Sequence, residues 1–147
     1  RTKAGDTTAG VIPGDLRLLV SMFDGKPVAV LYNYKSPGAK NPVELDSPSQ
    51  KTRVDILKTL EDAKITIDRK PDSYSLRVSV PLEKLGFKPE PGKTYLGDFG
   101  IIYSDQAGIV NEARMNWSNK ATNLVSDLGL EAAIHPESWG KFNIEAK

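Results

Sequence analysis

The sequence predicts an all-β protein, an antiparallel β-sandwich of jelly-roll or immunoglobulin-like type carrying one or two short helical turns. Three observations lead there. Apolar and polar residues alternate over short stretches, as in Leu16, Leu18, Val20 and Met22, or Tyr74, Leu76, Val78 and Val80; period two marks a strand with one wet face. Turn-forming clusters separate these stretches about every eight to twelve residues, as sandwiches and barrels require. No strand–helix–strand rhythm of useful length appears, which excludes a doubly wound parallel sheet.

Residues 1–13 are small, polar and Gly-rich and read as a flexible arm or linker end; residues 14–147 form the sandwich. Leu16, Leu18, Val20 and Met22 make one strand, Asp24-Gly25 a turn, and Val28, Val30, Tyr32 and Tyr34 the returning strand. Tyr32 and Tyr34 share a face with the two valines, which assigns at least Tyr32 to the core. Residues 36–50 hold Pro37, Pro42 and Pro48, exclude a central strand and read as a surface loop. Val54 and Ile56 open an alternating run, although Leu57, Leu60 and Glu61 also fit a helical face. Ile65 and Ile67, then Tyr74 to Val80, give two half-buried strands joined at Pro71-Asp72. Pro81-Leu82-Glu83-Lys84-Leu85-Gly86 reads as one helical turn opened by proline and closed by glycine. Phe99, Ile101 and Tyr103 form a strand ended by the turn cluster at residues 104–108, and residues 110–117 the next. A helical turn is expected at 128–134 and a closing strand at 139–144.

The chain has 147 residues, 39% hydrophobic and 27% charged, which suits one globular domain able to bury roughly 70% of its unfolded surface. A formal net charge of +1 provides no polyanion-attracting field, so nucleic acid is not an expected partner. Cysteine is absent, which excludes disulfides, thiolate metal sites and cysteine nucleophiles. The longest aliphatic or aromatic run, residues 28–32, is far below the ~20 residues of a membrane-spanning helix, and no membrane partner is expected. The opening at Arg1 rather than Met suggests a processed product or a piece of a longer, multidomain protein.

No catalytic constellation emerges. His135, the single histidine, is followed by Pro136, and no nucleophile-elbow motif accompanies it. Gly97-Asp98-Phe99-Gly100 lacks the spacing, the basic residue and the helix of a phosphate loop. Glu112 and Glu131 form no recognisable glycosidase pair without geometry. With one histidine and no cysteine, metal chemistry reduces to oxygen ligands and hence to calcium; Asp98, Asp105 and Asp127 are the candidates, and no other cofactor is expected. For Asp105 the competing reading is a tight turn closed with Gly108.

The most informative cluster is Arg114-Met115-Asn116-Trp117-Ser118-Asn119. In an extended segment Arg114 and Asn116 point one way and Met115 and Trp117 the other. If the strand ends near Trp117, the indole can swing to the rim beside the amides. A flat aromatic covers the apolar face of a pyranose, while Asn and Arg hydrogen-bond to its hydroxyls, and Trp freezes few torsions on ordering. Trp117, Asn116, Arg114 and Asn119 are therefore the candidate carbohydrate-binding residues. The competing reading makes Trp117 a core residue. Trp139 reads as a packing anchor for the last strand.

Three segments resemble carbohydrate-binding module family 9-like domains. The first runs from Gly14-Asp15-Leu16 through Asp24-Gly25 to Leu31-Tyr32. The second is Val80-Pro81-Leu82-Glu83-Lys84-Leu85-Gly86 with Gly97-Asp98-Phe99-Gly100 and Ser104-Asp105. The third, the most specific, is Asn116-Trp117-Ser118-Asn119-Lys120-Ala121-Thr122 with Ser126-Asp127, Glu131-Ala132 and Pro136-Glu137-Ser138-Trp139-Gly140. The resemblance implies a non-enzymatic β-sandwich, extracellular or periplasmic, attached to a secreted bacterial glycan-degrading enzyme or surface protein, with a polysaccharide or oligosaccharide as partner and structural calcium in some members. It also implies a sugar-chain end held between two aromatic rings, with Trp117, Asn116 and Arg114 as the matching positions. Relatives usually carry several strands, and one of those two aromatics, ahead of the segment matching Gly14; here only the short arm precedes it. A one-aromatic platform would bind on the order of millimolar, about −4 kcal/mol. The alternative from another class is a structural or interaction β-sandwich without sugar binding. A haem-binding relative, with Met22, Met115 and His135 as the available axial ligands, ranks last.

Overall fold

A computed structural model describes residues 10–47, 50–119 and 134–145. About half of these residues lie in strands, in several antiparallel sheets, with one short helix of four residues. The predicted all-β, antiparallel class is the one observed. The chain divides into two compact units.

The unit of Pro13–Val43 and Arg53–Lys88 is built on a three-stranded sheet in the order β1 (Leu16–Phe23), β2 (Lys26–Asn33) and β5 (Ile56–Thr59). Phe23 pairs with Lys26 across Asp24-Gly25, whose φ angles are 47° and 74°. Positive φ at both central residues is the two-residue turn that matches strand twist, and Asp-Gly adopts it at low cost. This turn fixes the register, and the register corrects one expectation. Leu18 faces Leu31 and Val20 faces Ala29, so the core face of β2 carries Ala29 and Leu31 rather than Val28, Val30 and Tyr32. Tyr32 is half-buried opposite Arg17, whose guanidinium lies 5.8 Å from the ring centre. Tyr34, just past the strand, is buried; burial raises its hydroxyl pKa, with the Arg17 charge working the other way.

Ala29, Leu31 and Leu60 form the buried centre, against which Leu16, Leu18 and Val20 of the sheet, Ile65, Val80 and Leu85 pack. Ile65 comes from β6 (Lys64–Arg69), which pairs with β7 (Tyr74–Ser79). Leu85 comes from α1 (Leu82–Leu85). Pro81 stands one position earlier than expected, as the cap preceding the helix. Gly86, at φ 65°, ends it, with Gly86 N–H donating to the Glu83 carbonyl and Phe87 N–H to that of Leu82, the paired bonds of a glycine-terminated helix. Lys84 reaches Asp62 at 2.8 Å, tying α1 to the turn at Leu60–Ala63. The segment with both strand and helix character is a strand, β5, since pairing with β2 decides between two locally acceptable patterns.

The loop expected at 36–50 contains strand β3 (Val43–Ser47), paired with β4 (Gln50–Val54). Pro42 precedes β3 without entering the ladder, which a two-stranded ribbon tolerates; Pro48 lies outside the described residues. Asp55 follows β4. Its carboxylate accepts from Ser36 N–H at 2.9 Å and from Arg53 Nε at 3.2 Å, and the Ser36 amide is the main cause of its lowered pKa.

The unit that includes Pro89–Lys147 holds two further ladders: β8 (Thr94–Gly97) with β11 (Gly140–Asn143), and β9 (Gly100–Ser104) with β10 (Asn111–Asn116). The closing strand is thus present, while most of the helical turn expected at 128–134 lies outside the described residues. β8 escapes a search for alternation because Tyr95 and Leu96 are consecutive and both buried. Tyr95 stacks on Phe142, 5.9 Å between centres, and its hydroxyl accepts from Glu90 N–H at 2.9 Å.

Candidate functional site

The β9–β10 hairpin positions the candidate residues. At its turn, Asp105 N–H donates to the Val110 carbonyl at 2.8 Å, and Gly108, at φ 72°, donates to the Asp105 carbonyl at 3.0 Å. The Asp105 carboxylate accepts from Ile109 N–H at 2.7 Å and Val110 N–H at 3.0 Å; these backbone donors, Val110 foremost, lower its pKa. Asp105 therefore closes the turn with Gly108, as the competing reading supposed.

From this turn the strands run with Tyr103 opposite Ala113, Ile101 opposite Met115 and Gly100 opposite Asn116, after a bulge between Asn111 and Ala113. The pairing continues one residue beyond β10, for Trp117 N–H donates to the Phe99 carbonyl at 2.9 Å. That bond decides where the indole goes. The alternation persists through Trp117, so the side chain keeps to the side of Met115 and does not swing toward Arg114 and Asn116. Asn116 instead turns its carbonyl onto Gly100, where a Cβ would collide with it, and Arg114 is half-buried. The residues read as one binding kit leave the strand on two different faces.

What Trp117 meets is Phe99. The two rings are stacked, 5.0 Å between centres and 6° between planes. Both are wet: Phe99 is 69% exposed and Trp117 43%. The far edge of the indole rests on Gly140, where an added Cβ would lie 2.7 Å from Cζ3 and 2.9 Å from Cη2. Glycine is needed at 140 for this close approach, not for backbone freedom. Ile101, Met115 and Tyr103 continue the same side of the hairpin and are exposed as well, so an uncharged apolar strip leads away from the ring pair.

Asp98 pins the base of this arrangement. Its Oδ1 accepts from Phe99 N–H at 2.9 Å and Ser118 N–H at 2.8 Å, and its Oδ2 from Asn119 N–H at 3.0 Å. One carboxylate thus ties the residue before β9 to the two residues after Trp117. Ser118 Oγ adds a bond to the Ser138 carbonyl at 3.0 Å, joining the end of β10 to the 3-10 turn Pro136–Ser138. Asn119, two residues after Trp117, is half-buried and held through its backbone N–H by Asp98. Trp139, which follows the 3-10 turn, is half-buried.

For calcium, Asp98 has both carboxylate oxygens on backbone amides and Asp105 its Oδ1 on two, and an ion would have to compete with these donors. Among the described residues no three His, Asp or Glu side chains gather into a metal-holding group; Asp127 lies outside them. His135 sits at the surface, its Nδ1 3.0 Å from Glu137 Oε1. Phe99 is the residue that reading the sequence passed over as a strand opener. The available signal was register: a turn centred near residue 108 places 99 opposite 117. No protein-family model, curated protein or solved structure matches the chain, so the likeness to family 9-like modules rests on the residues quoted for it.

Proposed function

We propose that the chain is a non-catalytic carbohydrate-binding module, carried by a larger secreted enzyme or surface protein, that holds a polysaccharide on the Phe99–Trp117 ring pair. The observation that carries this reading is the wet stack itself. Exposed aromatic surface is costly in water, and contiguous patches of it usually serve binding. Here Phe99, backed by the Trp117 ring stacked on it, offers an exposed flat face that matches a pyranose C–H face. Relative to the residues chosen from sequence, the platform is Trp117 with Phe99, and Arg114 and Asn116 are on the far side.

Affinity electrophoresis through gels of cellulose derivative, xylan and mixed-linkage glucan tests this. Trp117→Ala and Phe99→Ala should each weaken retention at least ~10-fold, about 1.4 kcal/mol, whereas Asn116→Ser should leave it unchanged. Equal retention of Trp117→Ala and the parent chain would overturn the proposal.

A second reading, an interaction domain without sugar binding, is favoured by the continuation of the apolar strip along Ile101, Met115 and Tyr103. It expects no retention on any polysaccharide.

A further inference from the structure

Resting on the sugar-binding reading, we infer that the site takes the interior of a neutral, extended glycan chain laid along the hairpin, and not a chain end clamped between two rings. A sugar held between two aromatics needs a van der Waals layer on each side, about 3.5–4.0 Å apiece, so the ring planes must stand roughly 7–8 Å apart. Phe99 and Trp117 lie 5.0 Å apart between centres at 6°, within the range of rings that touch each other directly. The pair is one platform, already closed on itself.

The far edge of the indole is against Gly140, while Phe99, at 69% exposure, turns its surface outward. A pyranose therefore meets the pair from outside. Phe99, Ile101 and Tyr103 succeed one another on one side, with Met115 and Ala113 opposite, and at ~3.3 Å per residue the distance from Phe99 to Tyr103 is about 13 Å. This length exceeds one sugar ring. A chain seated on Phe99 can run on over Ile101 and Met115 and reach the Tyr103 hydroxyl, a donor and acceptor at the end of an otherwise apolar path.

The strip also selects chemistry. None of Phe99, Ile101, Tyr103, Ala113, Met115 and Trp117 carries a charge, so nothing there compensates the desolvation of a uronate or sulfate. Glycans with equatorial hydroxyls, whose ring faces present only C–H groups, fit best.

The test uses the full chain and measures depletion onto amorphous cellulose, insoluble xylan and chitin. Each is used intact and after limited endo-hydrolysis that multiplies chain ends at constant mass. The expected result is binding capacity per milligram unchanged by the added ends, with affinity lowered at least ~3-fold by Tyr103→Ala and at least ~10-fold by Phe99→Ala. Phe99→Tyr should bind as the parent does, showing that ring loss and not misfolding is read. Capacity rising in proportion to chain ends, with Phe99→Ala still impaired, overturns the inference and leaves sugar binding standing. Retention on none of the three polymers overturns both.

Discussion

Two antiparallel hairpins in this protein begin from the same sequence pattern and end differently. In β1–β2 the alternating apolar side is covered over Leu16, Leu18 and Val20, with Met22 at its end exposed: β6 and α1 contribute Ile65 and Leu85 against it, and Leu31 retains only 3% exposure. In β9–β10 the alternation is equally regular, yet Met115 stays 62% exposed and the rings at its end remain wet. Period two reports that a strand has two unlike faces. It does not report that the apolar face finds a cover. An uncovered one, finished with a stacked aromatic pair, is where binding is to be sought.

The largest expected effect separates the two hairpins directly. Leu31→Ala should cost about 2–5 kcal/mol in denaturant unfolding, the range for emptying a packed site, while Met115→Ala should stay within ~0.5 kcal/mol. Comparable losses at both positions would erase the contrast. Next, Gly140→Ala forces its new methyl into the indole, and overpacking of this kind costs roughly 1–3 kcal/mol. In a Trp139→Phe background, the change should appear as altered Trp117 emission and acrylamide quenching. A smaller loss is expected for Phe99→Ala, about 0.5–1.5 kcal/mol for the ring pair beyond area burial, seen as a lower melting temperature.

The smallest effect is in acid. Asp55 and Asp105 have folded-state pKa values below their ordinary ones, because Ser36 and Val110 amides, respectively, are the leading donors to them. A lowered folded value means the unfolded state takes up protons first. Their stabilisation is therefore complete above the unfolded pKa, near 4, and drains away as pH falls through the folded values. Melting temperature followed downward from pH 5 should decline, and Asp105→Ala should flatten that decline. Asp105 lies at an exposed turn and each carboxylate is held by few donors, so the slope should be shallow.

Much of the fold was legible because its signals are local. Asp24-Gly25 names its own turn, Gly86 its helix end, and Asp105 with Gly108 the hairpin tip, since each depends on side chains within a few residues of the backbone they govern. The misses have equally physical origins. β8 buries Tyr95 and Leu96 in succession, so period two vanishes where both faces are covered. Pro42 stands just outside β3 and leaves its ladder intact. Tyr32 was assigned to the core from its companions on one strand, although the turn's register gives that place to Leu31. At the candidate site, the prominence of Trp117 was readable, but its partner was not, because Phe99 reaches it only through strand pairing. The role of Asp98 was missed for the same reason: the amides it holds at 118 and 119 are close only after the hairpin closes.

By itself, then, the amino-acid order determined the all-β class, the Asp24-Gly25 and Asp105–Gly108 turns and the alternation of β1, β2, β6, β7 and β9, properties that arise from backbone torsion and from neighbours two residues away. Tertiary pairing alone decided which apolar faces are sealed, that Trp117 lies on Phe99 and Gly140, and that Arg114 and Asn116 stand apart from it. Those outcomes depend on contacts between residues distant along the chain, and no local preference encodes which surface arrives to cover another.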